Sequence, residues 1–541
     1  MTITAATLQN DTDWNDLQAA LEGTFASISA VRGVLARARE IGTASVILEG
    51  DYLDRDFSAE FAQFYARVFK RFPKLCRRFH FFAEDVVPLL SHPDPQKIAE
   101  DLSSLSAAGK YLGYIVARPV AHAPLCRVVL AQPASPPDLK VDLLVRSEFV
   151  VHLLGSVLSV TSTPFTQQDA RVGACAQAAI WMAARHFYSK HRGSLWVSTV
   201  DITEAASKPT DHMLSLALPA GSGGLTVEHM VRALRAIGRE PLLYHGSYDA
   251  KNGQMTWPTS IAPTAVIDRY VDSGIPVIVG LAPWAGQSEF HAVVAVGHAL
   301  HELNPGKSLP NDPTRSEWVR FLVVNDHQRG TSLRLPVASS DPLSETPYNV
   351  SHIVYIIVPL PGKVFTPAEA AEKIGWDMIR RYQAEWPILK TTYATQMAGA
   401  TNAGDQFTDQ IAQNQVVART YLTYGWRYKQ RMVRNTCSDT LKNAVFQHDF
   451  PRFVWVTEFG TRASLNHLDE TQIRIFAHSV VDATSSRFWE GRCIFHAPGF
   501  VWRRYHDLNN PFADYVNSIT PIATEMPYGM KIRGSYPGRG P

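Results

Sequence analysis

RVGACAQAAIWMAARHF, residues 171–187, places one cysteine before a run of alanines and large apolar side chains. Alanine is the best helix former, and the spacing of the apolar residues predicts a buried helix. Cys175 then occupies the first helical turn. Unpaired main-chain amides and the helix dipole favour a thiolate there, so we expect the pKa of Cys175 below the usual ~8.5. The alternative is that Cys175 is a small apolar core residue, because free cysteines are among the most buried residues.

A histidine and an aspartate later in the chain could complete a catalytic site with Cys175 as its nucleophile. A thiolate nucleophile needs an imidazole beside it, and the imidazole needs an acceptor that orients it. His291 opens the alternating strand HAVVAVG, and Asp326 closes the apolar strand FLVVND. Asn325 directly precedes Asp326 and is the alternative orienting residue. A helix-borne cysteine, a strand-borne histidine and an acid at the end of the next apolar strand together predict a Cys175–His291–Asp326 triad.

These segments resemble the papain-like cysteine peptidases, and in particular the bacterial branch that contains the double-glycine (bacteriocin-processing) peptidases. The resemblance covers roughly residues 160–330. It implies an α+β core in which the cysteine-bearing helix packs on an antiparallel sheet. It also implies that Gln168 contributes to the oxyanion hole, with Gln167 as the neighbour that could replace it. It rests on these segments: QQDARVGACAQAAIWMAAR, GGLTVEHMVRALRAIGREPLLY, YVDSGIPVIVGLAPW, FHAVVAVGHA and FLVVND.

The chain departs from the family pattern in three places. Ala176 follows the cysteine where the family commonly has glycine, and Gln168 lies seven residues before Cys175, one more than is usual. The 35-residue interval between His291 and Asp326 contains LHELNPGKSLPNDPTRSEW, which reads as a surface insertion.

The resemblance implies acyl transfer through a covalent acyl-enzyme. The first expectation is a cysteine peptidase or isopeptidase that acts on a protein or peptide. The second is a transamidase or acyltransferase, in which an amine replaces water as the acceptor. The third is a catalytically inactive papain-like module that only binds its partner.

Composition limits the other classes of function. The chain has 541 residues, 45% of them hydrophobic and 19% charged, and a formal charge of +2, which indicates a globular protein without a dominant polyanionic partner. Its five cysteines show no CxxC pair and its histidines no HExxH pair, so we expect no disulfide framework, no metal site and no cofactor. No signal peptide or membrane-spanning stretch is visible, and we expect a cytoplasmic protein without nucleic-acid or membrane partners.

We expect an α+β protein in which flanking domains surround the peptidase-like core and provide substrate or regulatory contacts. The expected division is an N-terminal α+β domain (1–142), the papain-like domain (143–360), a C-terminal mixed α/β domain (361–530) and a disordered tail (531–541). The residues between 226 and 238 predict a helix with Thr226 as its N-cap and Gly238 at its end. DFSAEFAQFYARVFKRF (56–72) predicts a longer amphipathic helix. Apolar runs predict a pair of strands at 149–160 and strands at 44–50, 111–120, 126–133, 274–282, 290–299, 320–326, 351–361, 452–460, 472–482 and 492–505.

Overall fold

The structure is a computed structural model, and it has a mixed α+β fold with antiparallel sheets, as expected for the fold class. The predicted disordered tail lies outside the described residues. None of the described helices is both long and apolar enough to cross a membrane. The structure describes residues 2–23, 28–169, 174–191, 194–208, 225–249, 254–284, 289–304, 306–486, 490–505, 515–524 and 527–529.

The N-terminal part is a five-stranded sheet in which each strand pairs with its neighbour in sequence, in the order β1-β2-β3-β4-β5. Apolar strands such as β4, whose seven residues are all buried, form its core. Its elements are β1 (Ile3–Thr7), α1 (Asp11–Glu22), α2 (Ser29–Glu40), β2 (Ser45–Tyr52), α3 (Arg55–Glu60), β3 (Cys76–Phe82), α4 (Val87–Leu90), α5 (Pro95–Ala107), β4 (Tyr111–Ala117) and β5 (Leu125–Leu130).

The predicted helix over 56–72 is wrong beyond its first turns. The α-helix ends at Glu60 and continues as one π-helical turn, Phe61–Tyr65. Such a turn re-aims side chains on a helix, and here Tyr65 is buried with its hydroxyl bonded to the Asp169 carboxylate. The proline at position 73 further disfavours helical backbone at the end of the segment.

The central part is built on a sheet in the order β15-β14-β13-β12-β16-β9, with β6 paired to the far half of β13. α6 and α9 both contact β12 and β13, and every residue of these strands is buried, which explains their unbroken apolar runs. The elements are β6 (Lys140–Leu143), β7 (Ser147–Leu153), β8 (Ser156–Ser162), α6 (Cys175–Lys190), α7 (Thr199–Ser207), α8 (Val227–Ala236), β9 (Arg239–His245), β10 (Ser247–Asp249), β11 (Gln254–Thr256), α9 (Pro263–Asp272), β12 (Val277–Leu281), β13 (His291–Leu300), β14 (Val319–Asp326), β15 (Gly330–Pro336) and β16 (Ile353–Pro361).

Local sequence signals fix several of these elements. The Thr226 side chain accepts a hydrogen bond from the His229 amide, and Gly238 follows the helix with φ of 77°, so the predicted α8 and its caps are confirmed. The predicted strand pair at 149–160 is the hairpin β7–β8, whose turn residues Leu154 and Gly155 have φ of 50° and 81°. Positive φ at both turn residues is the geometry of tight hairpin turns.

The C-terminal part is a second antiparallel sheet, in the order β17-β18-β20-β21-β22-β23, on which α10 packs. A buried ion pair joins it to the central part, where Arg419 Nε lies 2.6 Å from Asp272 Oδ2. The elements are α10 (Ala368–Thr392), α11 (Thr401–Ala412), β17 (Val416–Tyr424), α12 (Gly425–Val433), α13 (Asp439–Phe446), β18 (Phe453–Thr461), α14 (Arg462–Leu465), β19 (Arg474–Ile475), β20 (Ala477–Asp482), β21 (Arg492–Ala497), β22 (Phe500–Tyr505), β23 (Val516–Pro521) and β24 (Tyr528–Gly529).

Candidate active site

Cys175 is the first residue of α6, as the sequence predicts. The N-cap residue is Ala174, which has extended backbone and no side-chain oxygen to accept from the first-turn amides. The neighbouring helices differ, because Ser198 caps α7 and Thr226 caps α8 through side-chain hydrogen bonds. No described side chain caps the first-turn amides of α6, so these amides can donate hydrogen bonds to the Cys175 sulfur.

The five cysteines are free thiols, and Cys175 alone among them is not fully buried. Burial raises the pKa of Cys175, while the amides of Ala292, Ala176 and Cys175 itself act in the opposite direction without overcoming it. The sequence-based expectation of a lowered pKa is thus wrong for this state, because desolvation of the thiolate outweighs the amide dipoles. The resting group is a neutral thiol.

His291 and Asp326 are brought together by the pairing of two antiparallel strands. His291 is the first residue of β13 and Asp326 the last residue of β14, and Val294 on β13 lies opposite Asn325 on β14. This register places the start of one strand beside the end of the other, although 35 residues separate the two side chains. His291 Nε2 lies 2.9 Å from Asp326 Oδ1. With Nε2 bound to the carboxylate, Nδ1 is the ring nitrogen that remains for proton exchange.

Asp326 is fully buried and has several hydrogen-bond donors. The Tyr348 hydroxyl donates to Oδ2 at 2.6 Å, and the Gln328 amide donates to Oδ1 at 2.9 Å. Arg329 Nε lies 3.7 Å from Oδ2. Burial acts to raise the pKa of Asp326, but the charge and hydrogen bond of the His291 ring and the Tyr348 hydrogen bond more than offset it, so this pKa lies well below its usual range. The carboxylate is therefore charged and can stabilise an imidazolium at His291.

An aromatic group surrounds the His291 ring and limits its contact with water. Trp284 packs edge-on against His291 with ring centroids 5.8 Å apart, and it also contacts Tyr348 at 4.9 Å. The His327 ring lies 4.5 Å from His291, centroid to centroid. Burial lowers the pKa of His327 to about 3, so this second imidazole is neutral. His291 itself is 2% exposed.

Cys175 lies close to this pair. The Ala292 amide, which belongs to the residue after His291, acts on the Cys175 thiol, and the charge of Asp326 also reaches it. α6 packs directly against β13. No hydrogen bond between Cys175 Sγ and His291 is formed, both residues being within the described part of the chain.

Asn325, the alternative orienting residue, is bound elsewhere. Its amide nitrogen donates to the Pro164 carbonyl at 3.2 Å, and its amide oxygen accepts from the Thr331 hydroxyl and the Ser332 amide, both at 2.9 Å. Asn325 thus ties the segment before α6 to β15, and Asp326 is the residue that contacts His291.

Gln168 and Gln167 lie on the segment that leads to α6. The Gln167 side-chain oxygen accepts from the Leu125 amide at 3.2 Å, so this side chain is bound to β5. Gln168 is half-buried, and no described residue hydrogen-bonds to its side chain. Residues 170–173, which connect it to Cys175, lie outside the described residues.

The structure adds three residues that the sequence reasoning did not single out: Tyr348, His327 and Trp284. His327 directly follows Asp326 in the sequence, and this adjacency is a signal that could have been used. Tyr348 and Trp284 lie in loops without a diagnostic pattern. His291, Asp326 and His327 each offer one ligand atom, and these atoms all lie within 4.8 Å of one another, so the described residues do include a set able to hold a metal ion.

No protein-family model matches the chain, and a search of curated proteins found no significant match.

Proposed function

We propose that the chain is a cysteine peptidase or isopeptidase of papain-like type that cleaves a peptide or isopeptide bond of a protein substrate. The observation that carries the proposal is the His291–Asp326 hydrogen bond of 2.9 Å, formed beside a thiol at the uncapped start of a helix. Nucleophilic acyl transfer requires a thiol, an imidazole and a carboxylate that orients the imidazole; here the imidazole and carboxylate are paired, and the thiol lies on the helix that packs against the histidine-bearing strand.

In the proposed reaction, His291 Nδ1 takes the proton of the Cys175 thiol as Sγ attacks the substrate carbonyl. The charge of Asp326 stabilises the imidazolium that forms. The Cys175 amide and the Gln168 side chain hold the oxyanion, and one such donor typically contributes about 2.7–4 kcal/mol. His291 then gives its proton to the leaving amine. Water then attacks the thioester carbonyl and gives a proton to His291. The C–S bond breaks, His291 gives that proton to Sγ, and the carboxylic acid product leaves the free thiol.

The raised pKa of Cys175 determines how this reaction begins. Because the resting group is a thiol, His291 acts as a general base during attack, and a preformed thiolate–imidazolium pair is not the starting state. Substrate binding that excludes water and aligns Cys175 with Nδ1 is then part of activation.

The test compares two alkylating agents on the full chain at pH 7. A peptidyl chloromethyl ketone places a carbonyl at the oxyanion position, whereas chloroacetamide reports the bare thiol. We expect the peptidyl reagent to label Cys175, and His291→Ala to slow it by roughly 100-fold or more, the range of general-base effects. Chloroacetamide labelling should change much less. The four buried cysteines serve as internal standards by peptide mapping.

The matched control is His298→Ala. His298 is also buried on β13 and also pairs with an acid, its Nδ1 lying 2.6 Å from Asp268 Oδ1. It lies seven residues beyond His291. If both variants slow the peptidyl reagent equally, the effect comes from loss of a buried pair and the proposed role of His291 is wrong.

The second candidate is the inactive binding module. The observations that favour it are the raised pKa of Cys175 and the lack of a Cys175–His291 hydrogen bond. In that case both reagents would label Cys175 slowly and neither would respond to His291→Ala. A transamidase would behave like the peptidase in this assay, and only an added amine that captures the acyl group faster than water would distinguish it.

The flanking parts are proposed to select the substrate. They make up more than half of the chain and contact the core directly, since α2 packs against β15 and α10 against α9. Five free thiols fit a reducing compartment, and a cytoplasmic location is part of the proposal.

A further inference from the structure

The imidazole of His327 is a buried polar group that the proposed reaction does not use. It is fully buried, and neither Nδ1 nor Nε2 forms a hydrogen bond of good geometry with a described residue, although the main chain of Ala292 lies near enough to act on the ring. A buried donor or acceptor left unsatisfied costs about 1–3 kcal/mol. Such a group calls for an explanation, and a bound ion is one partner that would satisfy it.

Together with His327, the neighbouring side chains of His291 and Asp326 offer the types of ligand atom that transition metals bind. His291, Asp326 and His327 offer two imidazole nitrogens and a carboxylate oxygen, all within 4.8 Å of one another. The centre of a triangle with sides of 4.8 Å lies about 2.8 Å from each corner, and zinc bonds to these atoms are ~2.0–2.2 Å long. Side-chain shifts of under about 1 Å therefore bring the three atoms to bonding distance.

The Asp326 carboxylate is fixed in orientation by hydrogen bonds, as metal-binding carboxylates commonly are. Tyr348 donates to one oxygen of Asp326 and the Gln328 amide to the other, so the carboxylate cannot rotate away without breaking two hydrogen bonds. Such outer partners orient ligands and raise metal affinity. Two imidazoles and one carboxylate suit Zn²⁺ with a fourth, open position, and they suit Mg²⁺ and Ca²⁺ poorly.

We propose that His291, Asp326 and His327 bind a Zn²⁺ ion and that this ion inhibits the candidate active site. Zn²⁺ takes the place of the proton between His291 Nε2 and Asp326 Oδ1, and the proton moves to Nδ1 of the neutral ring. Nδ1 then no longer accepts the proton of Cys175. The inhibition rests on the proposed function, whereas the binding of the ion does not.

The test measures Zn²⁺ binding by competition with a chromophoric chelator, using the full chain with Cys175→Ala so that the thiol does not bind the metal. We expect one tight equivalent. His327→Gln in the same background should weaken it by more than the roughly 10–100-fold typical of a lost outer-shell partner. The matched control is His152→Gln, because His152 is an exposed histidine on β7 and should leave the tight equivalent unchanged.

Absence of a tight equivalent, or equal affinity in His327→Gln, overturns the site. If His327→Gln does not fold, anomalous scattering at the zinc edge from crystals of the unsubstituted chain decides: a peak between the three side chains supports the site, and a peak elsewhere overturns it.

The inhibition is tested separately on the chain with Cys175 intact. Zn²⁺ should slow peptidyl chloromethyl ketone labelling with the affinity measured for binding, and His327→Gln should make the labelling insensitive to Zn²⁺. Binding without slower labelling overturns the inhibition alone. If His291→Ala is labelled as fast as the unsubstituted chain, the proposed function is wrong, but the proposal that the three side chains bind Zn²⁺ is unaffected.

Discussion

Replacing Tyr348 by phenylalanine removes one atom from the centre of the candidate site and tests its electrostatics. The Tyr348 hydroxyl donates to Asp326 Oδ2 at 2.6 Å, and both residues are buried. Burial raises the pKa of Tyr348, so the hydroxyl keeps its proton at any pH at which the protein is studied. Phenylalanine keeps the ring that packs 4.9 Å from Trp284, so the variant loses the hydrogen bond without creating a large cavity.

The size of the effect follows from the charge of Asp326. A hydrogen bond to a charged group contributes about 1.5–3 kcal/mol, and no water replaces it at this depth. In the Tyr348→Phe variant, Asp326 keeps its hydrogen bonds with the His291 ring and the Gln328 amide, so only one hydrogen bond is lost. We expect local opening to become easier by about 2 kcal/mol, which corresponds to roughly 30-fold faster exchange of protected amides.

Hydrogen exchange followed by mass spectrometry is the suitable assay, because a chain of 541 residues is not expected to unfold in one step. The peptides to follow cover β14 (Val319–Asp326) and the Gln328 amide. The control is Tyr348→Phe in an Asp326→Asn background, where the bond is neutral and worth about 0.5–1.5 kcal/mol. Equal acceleration in both backgrounds, or less than about threefold acceleration in the first, would refute a charged Asp326 as the partner of Tyr348.

Three further changes test the surroundings of the site. Asp56→Asn should ease local opening around α3 and α6 by about 3–5 kcal/mol, because it leaves the buried Arg185 guanidinium without its carboxylate. Asp11→Asn, in an exposed ion pair, should cost under about 1 kcal/mol, and hydrogen exchange at neutral pH compares the two variants. Burial raises the pKa of Glu60 to about 7 even though the Arg118 guanidinium lies 2.8 Å from its carboxylate. Its contribution to stability is therefore full below about pH 4.5 and is lost as pH rises to about 7. Between pH 5 and 7.5, the amides of α3 should lose protection against hydrogen exchange by on the order of 2 kcal/mol, and Glu60→Gln should remove this loss; an unchanged pH dependence would contradict the raised pKa. Ala174→Ser supplies the missing N-cap and should stabilise α6 by about 1 kcal/mol. Because the serine hydroxyl then accepts from the first-turn amides, labelling of Cys175 by the peptidyl chloromethyl ketone should become slower. Unchanged labelling would show that those amides do not act on the thiol.

The sequence predicts those parts of the fold in which local signals and burial agree. The apolar runs at 274–282 and 290–299 became β12 and β13, because a strand buried on both faces needs apolar residues throughout. The cap residue at 226 set the start of α8. The helix predicted over 56–72 changes to a π-helical turn at Phe61–Tyr65, where Tyr65 bonds to the distant carboxylate of Asp169, and no local pattern reports such a contact.

Some features of the candidate site could likewise be predicted from the sequence, and others depend on three-dimensional packing. The order of Cys175, His291 and Asp326 along the chain could be read from element types, since each residue begins or ends an apolar segment. The raised pKa of Cys175 could not, because desolvation depends on what packs around the thiol. Neither could Tyr348, whose contact with Asp326 is made from a loop between two strands.

The geometry of the site depends on residues well outside the segment that resembles a peptidase. Arg118 donates to the Gln167 carbonyl at 2.6 Å, and His122 Nε2 lies 3.0 Å from the Asp169 carbonyl. The loop between β4 and β5 therefore holds the segment that leads to Cys175 on both sides of Gln168.

Helix α6 is held in the same manner, because its Arg185 bonds to the carboxylate of Asp56 on α3. Removing residues 1–142 would therefore leave a buried guanidinium unpaired, free the far half of β13 from β6, and release the segment that carries Gln168. The N-terminal part is on this reasoning a structural component of the candidate active site, and substrate selection is a role it would perform in addition to positioning α6.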